Sequence, residues 1–167
     1  MPRRYSVATQ TSGTRHTLAL NGADHMFFHN LQVRGTGSTY ALTVKLWNQA
    51  DFNEFHGCAI SSPISGSGSS LVPFSLSGSG TSATSTGNSG DGNVVATCTI
   101  TGGYYCAVLT GNSGTPKNVD NVIRDCRITD FYSYGIYNYY QEKSIIRGNV
   151  IDRQNRTSFT TTYCIFL

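Results

Sequence analysis

Apolar residues along the chain fall in short runs that repeat. Aligned on a terminal Val or Ile, five segments read DHMFFHNLQV (24–33), DFNEFHGCAI (51–60), DGNVVATCTI (91–100), VDNVIRDCRI (119–128) and EKSIIRGNVI (142–151). The last position holds Val33, Ile60, Ile100, Ile128 and Ile151, always β-branched. Five positions earlier stand Phe28, Phe55, Val95, Ile123 and Ile146, and two positions earlier Leu31, Cys58, Cys98, Cys126 and Asn149. The intervening columns are mostly polar, as in His29, His56, Ala96, Arg124 and Arg147, and are expected to face outward. Strands stacked at the ~4.8 Å interstrand spacing need inward side chains of similar size and polarity above and below. On this reading Cys58, Cys98 and Cys126 form a core ladder. Asn53, Asn93, Asn121 and Ser144 form a polar ladder in a turn.

The terminal β-branched residues lie 27, 40, 28 and 23 residues apart. A period of about two dozen residues, made of short β runs and tolerant of insertions, predicts a solenoid, here of about five coils. A second strand follows the same logic: TYAL (39–42), YYCA (104–107), SYGI (133–136) and TYCI (162–165) set Tyr40, Tyr105, Tyr134 and Tyr163 beside small residues. The predicted fold class is therefore all-β, with an N-terminal arm or cap over 1–15 and a β-helix domain over 16–167. The longest interval carries a Ser- and Gly-rich insertion at 61–92.

Composition narrows the class further. At 167 residues the chain is one domain, long enough to bury a core without metals or disulfides. A net charge of +3, with Arg and Lys scattered, is not a nucleic-acid footprint. No stretch approaches the ~18 apolar residues of a membrane helix. The N-terminal MPRRYSVATQTSGTRH lacks the apolar core of a secretory signal, so export by a signal peptide is not expected. Five cysteines without C-x-x-C spacing read as small buried side chains of a reducing compartment, and no metal or other cofactor is expected.

The phrases IIRGNVI and VIRDCRI, followed by YGIY, resemble right-handed parallel β-helix proteins of the pectate-lyase-like superfamily. Within it they are closest in character to phage tailspike and virion decoration β-helices. The resemblance covers roughly residues 16–167. It implies a right-handed parallel β-helix, and an architecture that hosts lyases, hydrolases, adhesins and virion structural proteins alike.

Candidate chemistry is sparse. Asp24 and Asp51 share the column nine positions before the terminal residue, joined by Asp91 and Glu142 and interrupted by Val119. Such acids suit acid–base work, but Asp at a strand entry commonly caps a turn. Arg124 and Arg147 stack outward and could act as a lyase base only beside converging acids. These four are weak catalytic candidates. His29 and His56 stack as well, a surface pair or a metal pair with no carboxylate between them. The stronger signal is FYSYGIYNYY (131–140), where Tyr132, Tyr134, Tyr137, Tyr139 and Tyr140 offer flat amphipathic rings to a glycan or a protein partner.

Two features point to subunit contact. Leu71, Val72, Phe74 and Leu76, at the centre of the Ser/Gly insertion, read as an arm docking on a neighbour or as a flap folded back on its own coil. Ile165, Phe166 and Leu167 end the chain on an apolar strand without a cap. The expected function is a non-enzymatic structural protein of a phage-like virion, a capsid decoration or tail-spike component assembled as a homotrimer in the host cytoplasm. Its partners would be other virion proteins and, as a further candidate, cell-surface polysaccharide, without nucleic acid or membrane. The alternative is a polysaccharide lyase or glycoside hydrolase of the β-helix type, or a fragment of one.

Overall fold

A computed structural model describes residues 4–6, 10–158 and 160–167; the rest of the N-terminal arm expected over 1–15 lies outside the described residues. The described residues are all-β, without helices, and their strands run parallel in stacked sheets, the arrangement of a β-solenoid. Sheet A orders β1 (Arg4–Ser6), β4 (Gln32–Arg34), β7 (Ala59–Ser61), β10 (Thr99–Thr101), β14 (Arg127–Thr129) and β18 (Val150–Asp152). Sheet B orders β2 (His16–Asn21), β5 (Ala41–Trp47), β8 (Leu71–Leu76), β11 (Tyr105–Thr110), β15 (Tyr134–Tyr139) and β19 (Tyr163–Phe166). Sheet C orders β3 (Phe27–His29), β6 (Glu54–His56), β9 (Val94–Ala96), β13 (Val122–Arg124) and β17 (Ile145–Arg147). A small fourth sheet pairs β12 (Asn118–Val119) with β16 (Gln141–Glu142). From β2 onward the chain visits B, C and A in turn, so each strand's partner is its equivalent in the next coil.

Register places the predicted columns on one another. Val33, Ile60, Ile100, Ile128 and Ile151 pair down sheet A, and Phe28, Phe55, Val95, Ile123 and Ile146 down sheet C. Both columns join Leu20, Val44, Leu46, Phe74, Leu76, Leu109 and Ile136 of sheet B in one core. Sheets C and A meet at a one-residue corner with positive φ, occupied in successive coils by Asn30, Gly57, Thr97, Asp125 and Gly148. A second such corner, His25, Phe52, Gly92, Asp120 and Lys143, opens each strand of sheet C.

Asn, Asp and Gly tolerate this left-handed geometry, whereas β-branched Thr97 at φ 53° does not. Its Oγ1 accepts the Gly57 N–H at 3.1 Å, a bond that an Asn side-chain oxygen can reproduce. Thr97→Asn, the residue at the equivalent Asn30, is therefore expected to stabilise the fold by about 1 kcal/mol, read as a raised denaturation midpoint.

The polar ladder forms at the corner that opens sheet C, directly after Phe52, Gly92 and Asp120. Asn53 Nδ2 donates to Asn93 Oδ1 at 3.1 Å and Asn93 Nδ2 to Asn121 Oδ1 at 3.1 Å. Each Oδ1 also accepts the backbone N–H of the preceding coil, from Met26, Asn53 and Asn93. Asn121 ends on Gln141 Oε1 at 2.8 Å, so Gln141 takes the place expected of Ser144, whose hydroxyl instead accepts from Asn138. The cysteine ladder runs beside it. The Cys58 N–H donates to Cys98 Sγ at 3.3 Å and the Cys98 N–H to Cys126 Sγ at 3.4 Å, and the Cys126 N–H meets Asn149 Oδ1 at 2.9 Å.

Two expectations are corrected. LVPFSL is neither an arm nor a flap: it is β8, the sheet B strand of its own coil, between β5 and β11. Leu71, Val72, Phe74 and Leu76 are fully buried within this chain and offer nothing to a neighbouring subunit. The flanking Ser and Gly residues form loops around a core strand. For the same reason Tyr40 leaves the tyrosine column: Leu42 pairs with Val72, so aliphatic residues occupy that column in these coils.

Candidate functional site

The outward face of sheet B changes character along the solenoid, from aliphatic to aromatic. In β11, β15 and β19 the paired residues Tyr105, Tyr134 and Tyr163 stack ring on ring, with centroids 5.0 and 5.1 Å apart and planes within 22° and 12°. Three positions further along these strands, Tyr137 and Phe166 stack at 5.0 Å and 5°. Tyr137 meets Tyr105 and Tyr134 edge-on, which favours the positive ring edge against the negative ring face. Tyr104 bridges Tyr105 and Tyr132, and Tyr139 lies 4.0 Å from Tyr140. Arg156 sits 4.8 Å over Tyr132 and Lys117 4.5 Å over Tyr140, so a cation borders the face at two of its edges.

All five tyrosines expected to make contacts, Tyr132, Tyr134, Tyr137, Tyr139 and Tyr140, lie on this face, while Phe131 turns into the core. The structure adds Tyr104, Tyr105, Tyr163 and Phe166, which neighbouring coils bring alongside. Burial pushes the Tyr105 phenol up to about 12 and raises Tyr134 and Tyr137 in the same direction, so these hydroxyls keep their protons and can donate. Tyr163 remains 41 % and Tyr139 36 % exposed, leaving ring area free for a partner. Of the three terminal residues expected at a subunit contact, Phe166 belongs to this face. Ile165 continues the inward column below Ile136 and is half-exposed, and Leu167 is exposed.

The weak catalytic candidates do not converge. Asp24 Oδ1 accepts the Asp51 N–H at 2.8 Å, Asp51 Oδ1 the Asp91 N–H at 2.8 Å, and Asp91 Oδ1 the Val119 N–H at 2.9 Å. These carboxylates cap successive turns. Burial raises the Asp51 pKa, with Asp91 and Asp24 adding like-charge repulsion and the Asp91 N–H opposing it. Arg124 and Arg147 are paired in register on the outer face of sheet C, and Arg124 closes on Asp125 at 2.9 Å. With β9 between β6 and β13, Arg124 lies two strands from the coil of Asp51.

His29 and His56 stack at 5.2 Å and 12° with Phe27 alongside, and His56 Nε2 meets Glu54 Oε2 at 2.8 Å. That carboxylate was readable two residues earlier on the same strand face. Among the described residues no three His, Cys, Asp or Glu side chains gather around a metal position. A groove of about 510 Å³ runs beside sheet A, lined by Arg34, Gln32, Ser61, Thr101 and the loop 62–65, without a carboxylate in its lining. Compared with protein-family models, curated proteins and solved structures, the chain matches none.

Proposed function

We propose that the chain is a right-handed parallel β-helix of the pectate-lyase-like type, of about five coils. It serves as a non-enzymatic structural protein of a phage-like virion and assembles as a trimer through its aromatic face. The observation that carries this reading is the in-register stack of half-exposed tyrosines across β11, β15 and β19. Rigid rings with a hydroxyl rim bury large area at little entropic cost, which favours protein contact over turnover. The engagement of the Asp24, Asp51 and Asp91 carboxylates in turn caps supports the same side. The virion setting rests on the resemblance described above. Glycan contact uses the same rings, and stacked aromatic faces also suit the flat side of a sugar.

Light scattering over a concentration series tests the assembly. The wild-type chain is expected to weigh as a trimer, and Tyr134→Ala with Tyr137→Ala to raise the dissociation constant by about 30-fold or more. A wild-type monomer that binds cell-surface polysaccharide without cleaving it would move the face to glycan recognition. A monomer that binds none, or a trimer indifferent to both substitutions, would end the reading.

A further inference from the structure

A different part of the outer face of sheet B holds a buried cation-forming group that the aromatic face does not use. Lys45, in the middle of β5, is fully buried, and its Nζ donates to Ser75 Oγ at 2.9 Å and to Ser77 Oγ at 2.6 Å. Each hydroxyl passes its own proton outward, Ser75 to the Ala83 carbonyl at 3.0 Å and Ser77 to the Ser82 carbonyl at 2.7 Å. Both acceptors belong to segment 78–87, a loop whose ends meet where Gly78 packs on Gly87 and its N–H donates to Ser85 O at 2.8 Å. The loop covers Leu42, Val72 and Val108, and its Ala83 completes that apolar cluster. Lys45 is thus the root of a two-branched hydrogen-bond chain that holds a lid on the sheet.

Donor accounting fits a neutral amine. A neutral amine has two N–H groups, and both are used here. An ammonium would carry a third N–H and a full charge, and among the described residues no carboxylate pairs with Lys45. Its column continues through Ser75 of β8 to Val108 of β11, and beside it stand Ser77, just past β8, and the Ser82 and Ala83 carbonyls of the lid, none of them charged. From β2 comes His16, stacked on Trp47 at 5.4 Å and held below its ordinary pKa chiefly by burial. Arg15 reaches the lid from outside, donating to Thr81 O at 2.6 Å. Burial lowers the amine well below its ordinary range.

We propose that segment 78–87 is an acid-released lid, held shut by Lys45 as a neutral amine and freed when that amine takes a proton. With the lid open, Lys45 meets water and regains an ordinary affinity for protons, so the open state binds one proton more than the closed. Closure is therefore strongest above the ordinary lysine pKa of about 10.4 and weakens as pH falls. The open-to-closed ratio gains about tenfold per pH unit until the lowered pKa is reached, where the dependence ends. Opening uncovers Leu42, Val72 and Val108 next to Tyr105 and Tyr137.

The chain carries its own reporter. Trp47, its one tryptophan, packs against Gly80 of the lid, where an added Cβ would stand 2.9 Å from the ring. Trp47 emission and uptake of an apolar dye are followed in the full chain through an acid titration, with far-UV dichroism monitoring the fold. A His16→Asn background removes the imidazole that would quench the ring when protonated. Expected are a red shift and dye uptake that grow as pH falls while the β signal holds, and their loss in Lys45→Met, which fills the site without a proton. Ser75→Ala with Ser77→Ala, retaining the amine, should open the lid at higher pH. Equal titration of Lys45→Met and its parent would overturn the proposal, as would a lid that stays shut until the whole fold unfolds. If Lys45→Met does not fold, hydrogen exchange of amides 78–87 in the parent decides: exchange that rises with acid beyond its intrinsic pH trend supports the lid, and exchange that follows the trend rejects it.

Discussion

Asn93→Ala is expected to lower the unfolding free energy by about 4 kcal/mol, the largest effect of any polar substitution in the chain. Asn93 is buried, and its amide serves two neighbours at once. Its Nδ2 donates to Ala50 O at 2.9 Å and to Asn121 Oδ1, while its Oδ1 accepts both the N–H and the Nδ2 of Asn53. Truncation leaves the Asn53 N–H and the Ala50 carbonyl without partners in a dry turn, at about 1–3 kcal/mol each, and breaks the chain of polarised amides. Urea denaturation measures this as a lower midpoint with an unchanged slope. Asn53→Ala should cost less, because the groups it orphans, the Met26 N–H and the Ala23 carbonyl, lie nearer water. A loss under about 1 kcal/mol for Asn93→Ala would mean that water replaces the amide and that the ladder is not a principal support.

Phe55→Ala is expected to cost about 3–5 kcal/mol through the cavity it leaves. Phe55 is fully buried where sheets C and B face one another. It is stacked on Phe28 at 4.7 Å and 14° and meets Phe74 edge-on at 5.5 Å and 80°. Strands above and below fix its neighbours, so the space cannot collapse. Phe55→Leu keeps most of the volume and should recover more than half of the loss. Calorimetry of the two variants separates the cavity from the lost ring contacts: similar losses in both would place the cost in the ring contacts.

What the sequence made legible was whatever repeats with the coil. The inward Val/Ile and Phe/Val/Ile columns, the asparagines and the cysteines each occur once per turn at fixed offsets, and each contacts its own equivalent. What escaped depends on one coil alone. LVPFSL looked like an arm because Ser and Gly surround it, yet a strand between two others needs only that its side chains be buried. The role of Lys45 is not legible along the chain because its partners, Ser75 and Ser77, come from a loop-rich stretch a full coil later. Gln141 replaced Ser144 in the ladder because a longer side chain can reach Asn121 from the flanking strand β16. The aromatic face was visible as a tyrosine-rich segment. Its extent was not, because Tyr104, Tyr105, Tyr163 and Phe166 come from other coils.

The corners, the asparagines and the cysteines share one property: each bonds to its counterpart region in the coil next door. The coil is therefore a unit that can be lost or copied whole. Removing Thr101–Ile128 would join Ile100 to Thr129 as Ile128 is joined now, and the Cys98 N–H would meet Asn149 as the Cys126 N–H does. The cross-section would be unchanged and only the height would fall, by about 4.8 Å. For a gene of this kind, duplication or loss of one coil-sized segment adjusts reach in fixed steps, and the surface presented at any level is inherited with the coil that carries it.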